Sequence, residues 1–269
     1  MEPHPPLGKM LLGLSEAVFS PNADIDLSKL LKTDYLKGNE MPKGMEFWAY
    51  RLPSALMMAL SVWFLYQILF RITRYRAVAF VFSLYMIFDN AMVLHSRAAM
   101  LEGVQFFFIL LSIWYCIRCV TNEAAITLRN YLILGVCVGL VTAVKLNGLV
   151  LSLLWGILLL EDKGKALLEG KFLAVLERSV LSCVAFFAML GLVFSFVFYL
   201  HIGLGTKVIP GKTYKASPEY LQSLKENGGF SFTTFRHGFK DNMRYISEYA
   251  DGVPRLDVCK ETENGRYFA

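Results

Sequence analysis

The chain has 269 residues, is 55% hydrophobic and only 18% charged, and carries a formal net charge of +5 with a mean hydropathy of +0.46. A soluble domain of this size carries more charge, and the apolar residues gather in runs of membrane length, so an ordinary soluble enzyme is excluded and a polytopic membrane protein is indicated. The positive charge calls for no nucleic-acid partner, because basic connectors facing an anionic leaflet account for it.

In chain order, residues 1–47 come first as a segment outside the membrane core. It opens on His4-Pro5-Pro6-Leu7-Gly8-Lys9, stiffened by two prolines and basic at its end. The pattern Leu11, Leu12, Leu14 and Val18 then predicts a short amphipathic helix lying along the membrane surface. A loop entering a surface helix is the plain reading. A polar, proline-fixed segment beside a hydrophobic bundle is also where a membrane enzyme meets a lipid-borne phosphate.

A transmembrane bundle is predicted over 48–202, with spans at about 48–70, 77–94, 101–120, 131–144, 149–160 and 179–200. The fourth and fifth are short. They form either a hairpin broken at Lys145-Leu146-Asn147-Gly148 or one over-long helix. Asparagine and glycine favour the turn, and a lysine at mid-bilayer is costly. With the hairpin, three basic connectors share one side: Arg71, Arg74 and Arg76; Arg118 and Arg129; and Lys163, Lys165, Lys171 and Arg178. The fold class is therefore all-α, with about six transmembrane helices and an interfacial helix. Residues 203–269 follow as a polar loop on the same external side as residues 1–47. Cys116 and Cys119 form a C-x-x-C with no second pair to complete a zinc site, and thiols at the end of an apolar run usually pack. Cys259 has no obvious disulfide partner.

Four charged residues stand where charge is expensive. Arg51, Arg97, Glu102 and Lys145 all fall at the outer ends of apolar runs, on the side of His4 and Lys9. Taken singly, each is explained by snorkelling, and Arg97 could pair with Glu102. Taken together they suit an anionic head group, since guanidinium binds phosphate in a bidentate fork and ammonium as a point charge.

"HPPLGK", "RLPSA", "SRAAMLEG" and "AVKLNGL", in that order, resemble the protein O-mannosyltransferase family (glycosyltransferase family 39), including its bacterial phospholipid-carrier-dependent members. The resemblance implies an integral-membrane glycosyltransferase that moves a sugar, typically mannose, from a polyprenyl-phosphate carrier to an acceptor hydroxyl. The acceptor is usually a protein Ser or Thr on the non-cytoplasmic face, and the anomeric centre is inverted. Such chemistry needs an acidic residue for the acceptor proton and cations for the departing phosphate.

Residue by residue, His4, Pro5, Pro6 and Lys9 match the family's HPP segment. Arg51 matches an arginine at the start of its second helix, and Arg97 its "SR". Glu102 stands where the family more often has Asp, and Lys145 completes the set of donor-phosphate candidates. The stretch 245–265 looks like the external loop of bacterial members and carries no assigned role. The family's catalytic acidic pair belongs to a loop before HPP, where this chain has only Glu2. The catalytic residues are thus expected upstream of residue 1, and the chain reads as the central part of a longer enzyme, inactive by itself.

The implied partners are a polyprenyl-phosphate-linked sugar, a protein or other hydroxyl acceptor and membrane lipid. No cofactor or metal is called for. The implied location is a bacterial plasma membrane with the active face external. A transporter, with ionisable groups near mid-span or paired broken helices, and a non-catalytic scaffold or degenerate paralogue are the alternatives.

Overall fold

In lipid, a helix satisfies its own backbone donors and acceptors, and all regular structure among the described residues is helical. The computed structural model describes residues 4–26, 41–122, 124–206 and 216–250. In order these contain α1 (Leu7–Phe19), α2 (Trp48–Thr73), α3 (Arg76–Phe88), α4 (Asn90–Arg97), α5 (Glu102–Val120) and α6 (Leu128–Val144). A 3-10 helix (Leu146–Ser152) leads to α7 (Leu153–Leu168), α8 (Phe172–Leu204), α9 (Pro218–Asn227) and α10 (Phe232–Ala250). The chain divides into two units, Pro5–Val197 and Met1–His4 with Phe198–Ala269, and α8 contributes residues to both.

In the first unit α2, α5 and α8 are each long and apolar enough to cross a bilayer, and α3 with α4 qualifies as a broken pair. With several helices of this kind, the chain is an all-helical multi-pass membrane protein. α5 is the most enclosed: 44% of its apolar window is buried, against 22% for α2. The other helices turn large apolar side chains such as Trp63, Phe80, Phe82 and Val184 outward, which suits hydrocarbon rather than water.

Small residues set the closest crossings. A Cβ added at Gly103 of α5 would lie 2.5 Å from the backbone oxygen of Ser54 in α2. Gly135 and Gly139 of α6, four residues apart, admit the backbone of α8 at Phe186 and Leu190, the close approach that a small-xxx-small stripe permits in membranes. Cys116 and Cys119 are buried in the core cluster with Tyr131, Leu134 and Leu158.

The run expected as one span over 77–94 is bent by 58° between α3 and α4. Asp89 is the cause. Its backbone is extended (ψ 117°) and its side chain accepts from the Met92 N–H at 2.8 Å, so the acid caps α4 while ending α3. The break between the short runs falls at Lys145, which is extended (φ −148°, ψ 140°). The 3-10 helix then folds back on the last turn of α6, where a Cβ on Gly148 would lie 2.8 Å from the Val141 carbonyl carbon. In α1, Leu7, Leu11 and Leu12 pack inward, but Leu14 and Val18 are 59% and 67% exposed. The four leucine and valine positions read as one apolar face thus divide between two.

The other end of this unit is closed by a polar knot. Arg178 Nε donates to Asp162 Oδ2 at 2.7 Å and Nη2 donates to the Ile126 carbonyl at 3.0 Å. The guanidinium lies 5.4 Å over the Tyr131 ring, whose hydroxyl donates to Asp162 at 3.1 Å. α6, α7, α8 and the connector before α6 are joined there.

In the second unit, the stretch expected as a polar loop over 203–269 holds two helices among its described residues, α9 and α10, joined by a short turn at 228–231. Ser217 caps α9, accepting from the Tyr220 N–H, with Pro218 as first helical residue. Phe235, Phe239 and Ile246 recur at helical spacing in α10. Phe239 meets Phe198 edge-on at 5.3 Å, Phe235 meets Tyr199 at 5.7 Å, and Asp241 accepts from the Ser217 N–H at 2.7 Å. Polarity had hidden an amphipathic helical pair.

Candidate phosphate-binding end of the bundle

Pro5 and Pro6 are buried, and Pro6 starts α1, its carbonyl accepting from the Met10 N–H at 2.9 Å. One residue into the helix, Gly8 lets α1 close onto the bundle. A Cβ there would lie 2.6 Å from Leu101 Cδ2 and 3.3 Å from Val144 Cγ1. Leu101 and Val144 immediately precede Glu102 and Lys145, so the HPP helix seats itself beside both charges.

Those charges bind each other. Lys145 Nζ lies 2.7 Å from Glu102 Oε1, with the two side chains 20% and 38% exposed. The helix ends favour this, because Glu102 opens α5 and Lys145 follows the last residue of α6, each meeting the opposite partial charge of its helix. One turn deeper, Gln105 Nε2 donates to Asn147 Oδ1 and ties the same two segments again. The alternative pairing of Arg97 with Glu102 does not form.

Arg51 lies one turn before Ser54, the residue against which Gly103 packs, so it belongs to the same end of the unit. It is exposed, with its guanidinium 5.4 Å over the Phe47 ring. Arg97 is the exposed last residue of α4. Among the described residues neither arginine has an acidic partner. Lys9 is exposed on α1. His4 groups with the second unit, while the other seven candidates belong to the first. Glu2 and Cys259 lie outside the described residues.

This end of the first unit therefore presents two guanidinium groups and a neutralised Glu–Lys pair under a proline-started helix, an arrangement suited to an anion. The sequence reading missed Gln105 and Gly8 as parts of it. A polar residue one turn inside an apolar run was the available signal for Gln105. For Gly8 there was none, because its role depends on what packs against it.

A family model described as dolichyl-phosphate-mannose-protein mannosyltransferase matches residues 1–206. Protein O-mannosyl-transferase 2 of Drosophila melanogaster is 27% identical over 215 residues, covering 75% of this chain and 26% of the fly protein. The protein of the same name from Drosophila pseudoobscura pseudoobscura is 26% identical over 217 residues, covering 75% and 27%. The chain spans about a quarter of the length of these curated relatives. The S. cerevisiae protein O-mannosyltransferase Pmt1-Pmt2 complex bound to the sugar donor shares the fold, with a TM-score of 0.69 at 21% identity over 85% of this chain and 31% of the yeast chain. With residues 1–206 of 269 matched by its model, the chain belongs to the dolichyl-phosphate-mannose-protein mannosyltransferase family.

Proposed function

We propose that the protein transfers mannose from a polyprenyl-phosphate carrier to a Ser or Thr hydroxyl of a protein, on the non-cytoplasmic membrane face. The observation that carries this reading is the pair of arginines, Arg51 and Arg97, that have no acidic partner among the described residues, beside the Glu102–Lys145 pair in a member of this family. The acceptor oxygen bonds to the anomeric carbon as the bond from that carbon to the phosphate oxygen breaks. The hydroxyl proton passes to a general base, and the carrier leaves as its monophosphate.

Arg51 and Arg97 stabilise the charge that grows on the leaving phosphate. Lys145 spends one of its three donors on Glu102 and keeps two for the same phosphate. Glu102 orients it. Pro5 and Pro6 fix the entrance, with Lys9 as a further polar contact. The site lies at the end opposite the basic connectors, which supports the non-cytoplasmic face under the positive-inside rule.

The test is a transfer assay on membranes containing the chain joined to whatever coding sequence flanks it, with polyprenyl-phosphate-linked mannose and a Ser/Thr peptide. Transfer from the lipid-linked donor, none from a nucleotide sugar, and its loss in Arg51→Ala and Arg97→Ala are expected. Transfer from a nucleotide sugar alone would overturn the reading.

A further inference from the structure

At the opposite end of α5 the first unit holds a second anion-ready place. Arg118 is 16 residues beyond Glu102 on α5, about 24 Å along the axis at 1.5 Å per residue, and so belongs to the other membrane interface. A cavity of about 360 Å³ opens there between the last turn of α5, the connector and the first turns of α6, lined by Tyr115, Arg118, Asn122, Thr127, Arg129 and Asn130 among others. We propose that this cavity binds the phosphate head group of an anionic membrane phospholipid. The inference stands apart from the transfer reaction, whose donor phosphate would lie at the far end of α5.

Charge is the first support. Both arginines line the cavity, and among the described residues neither has an acidic partner. Arg178 close by shows the contrast, with its charge consumed by Asp162. Arg118 is laid 5.4 Å over the Trp114 ring, so it is oriented without being neutralised.

Construction is the second support. Thr127 and Asn130 form a capping box at the start of α6, and Asn130 Nδ2 donates to the Tyr115 hydroxyl at 3.3 Å. Arg178 clamps the connector through the Ile126 carbonyl. The cavity therefore has a fixed floor, and the positive end of the α6 dipole adds to the arginines.

Position is the third. Arg118 sits in the last turn of an apolar spanning helix, at the level of lipid phosphates, where basic pockets between helices take anionic head groups. The volume falls in the range of small-ligand sites.

The full chain, purified in neutral detergent, can be titrated with phosphatidylglycerol or phosphatidylcholine of equal tails and the bound lipid counted by native mass spectrometry. The wild type should prefer phosphatidylglycerol by roughly tenfold or more, as charge-assisted contacts imply. Arg118→Gln with Arg129→Gln should abolish the preference while helicity and unfolding temperature in plain detergent stay unchanged. If that double variant fails to fold, Arg129→Gln alone, at an exposed position, should still lower the preference several-fold. Lys171→Gln, which removes an exposed cation outside the cavity, should keep it. A preference that survives in the arginine variants overturns the proposal. Displacement of the lipid by millimolar inorganic phosphate overturns it too, in favour of a free-anion site.

Discussion

At the scale of single residues, Arg51 carries the sharpest expectation. It is exposed, lacks an acidic partner among the described residues, and stands at the end of the bundle proposed for the donor phosphate. A charge-assisted contact is worth about 1.5–3 kcal/mol. At about 1.4 kcal/mol per decade, Arg51→Ala should lower donor-dependent transfer roughly 10- to 150-fold, normalised to protein amount. Arg51→Lys should recover only part, because it loses the bidentate fork. Arg74→Gln, an exposed residue after α2 at that helix's other end, is the comparison and should leave specific activity unchanged. Equal losses at both positions would mean that the Arg51 charge only snorkels. Glu102→Gln has a different signature. It frees Lys145 from a 2.7 Å partner without removing a cation, so KM for the donor should move more than it would for a distant surface change, with the fold retained.

At the scale of elements, two glycines separate packing from propensity. A Cβ at Gly103 meets the Ser54 backbone oxygen at 2.5 Å, and backbone cannot step aside as a side chain tip does. Gly103→Ala should therefore force α2 and α5 apart and cost about 1–3 kcal/mol in unfolding measured in detergent. Gly156 in α7 has no atom within 4 Å of such a Cβ, so Gly156→Ala should be neutral or stabilise by about 0.5–1 kcal/mol. The knot at the other end makes a third case. Asp162, with its side chain 8% exposed, holds Arg178 and the Tyr131 hydroxyl together. Asp162→Ala leaves a largely buried guanidinium with the Ile126 carbonyl and the Tyr131 ring but no counter-charge, and should cost about 3 kcal/mol, the low end for a broken buried pair. A wild-type unfolding temperature in that variant would show that the knot is dispensable.

For the whole molecule, sidedness is the property to measure. α8 has 33 residues, about 50 Å at 1.5 Å per residue, more than the roughly 30 Å hydrocarbon core requires. Its two ends should therefore lie on opposite sides. A reporter fused after Arg178 should read cytoplasmic and one after Gly205 external, following the basic connectors at Arg71–Arg76, Arg118–Arg129 and Lys163–Arg178. Equal readings from both fusions would place the phosphate-binding end and the cavity at Arg118 on sides other than those proposed.

What the sequence determined by itself are properties that a short stretch carries alone. Hydropathy averaged over twenty residues identified the spanning helices α2, α5 and α8. The Lys145–Gly148 turn was legible from its asparagine and glycine, and the expensive charges Arg51, Arg97, Glu102 and Lys145 were legible from the cost of ions near hydrocarbon. Averaging also explains two failures. A single Asp89 hardly lowers the mean of the 77–94 run, yet one capping bond bends it by 58°. The polar mean of α10 conceals the helical spacing of Phe235, Phe239 and Ile246. Only the tertiary structure decided who meets whom. Arg97 is five residues from Glu102 and was the natural partner by proximity in sequence, but Lys145, 43 residues away, takes that carboxylate. It does so because α5 and α6 pack side by side and bring a helix start to a helix end, and no local pattern encodes that juxtaposition.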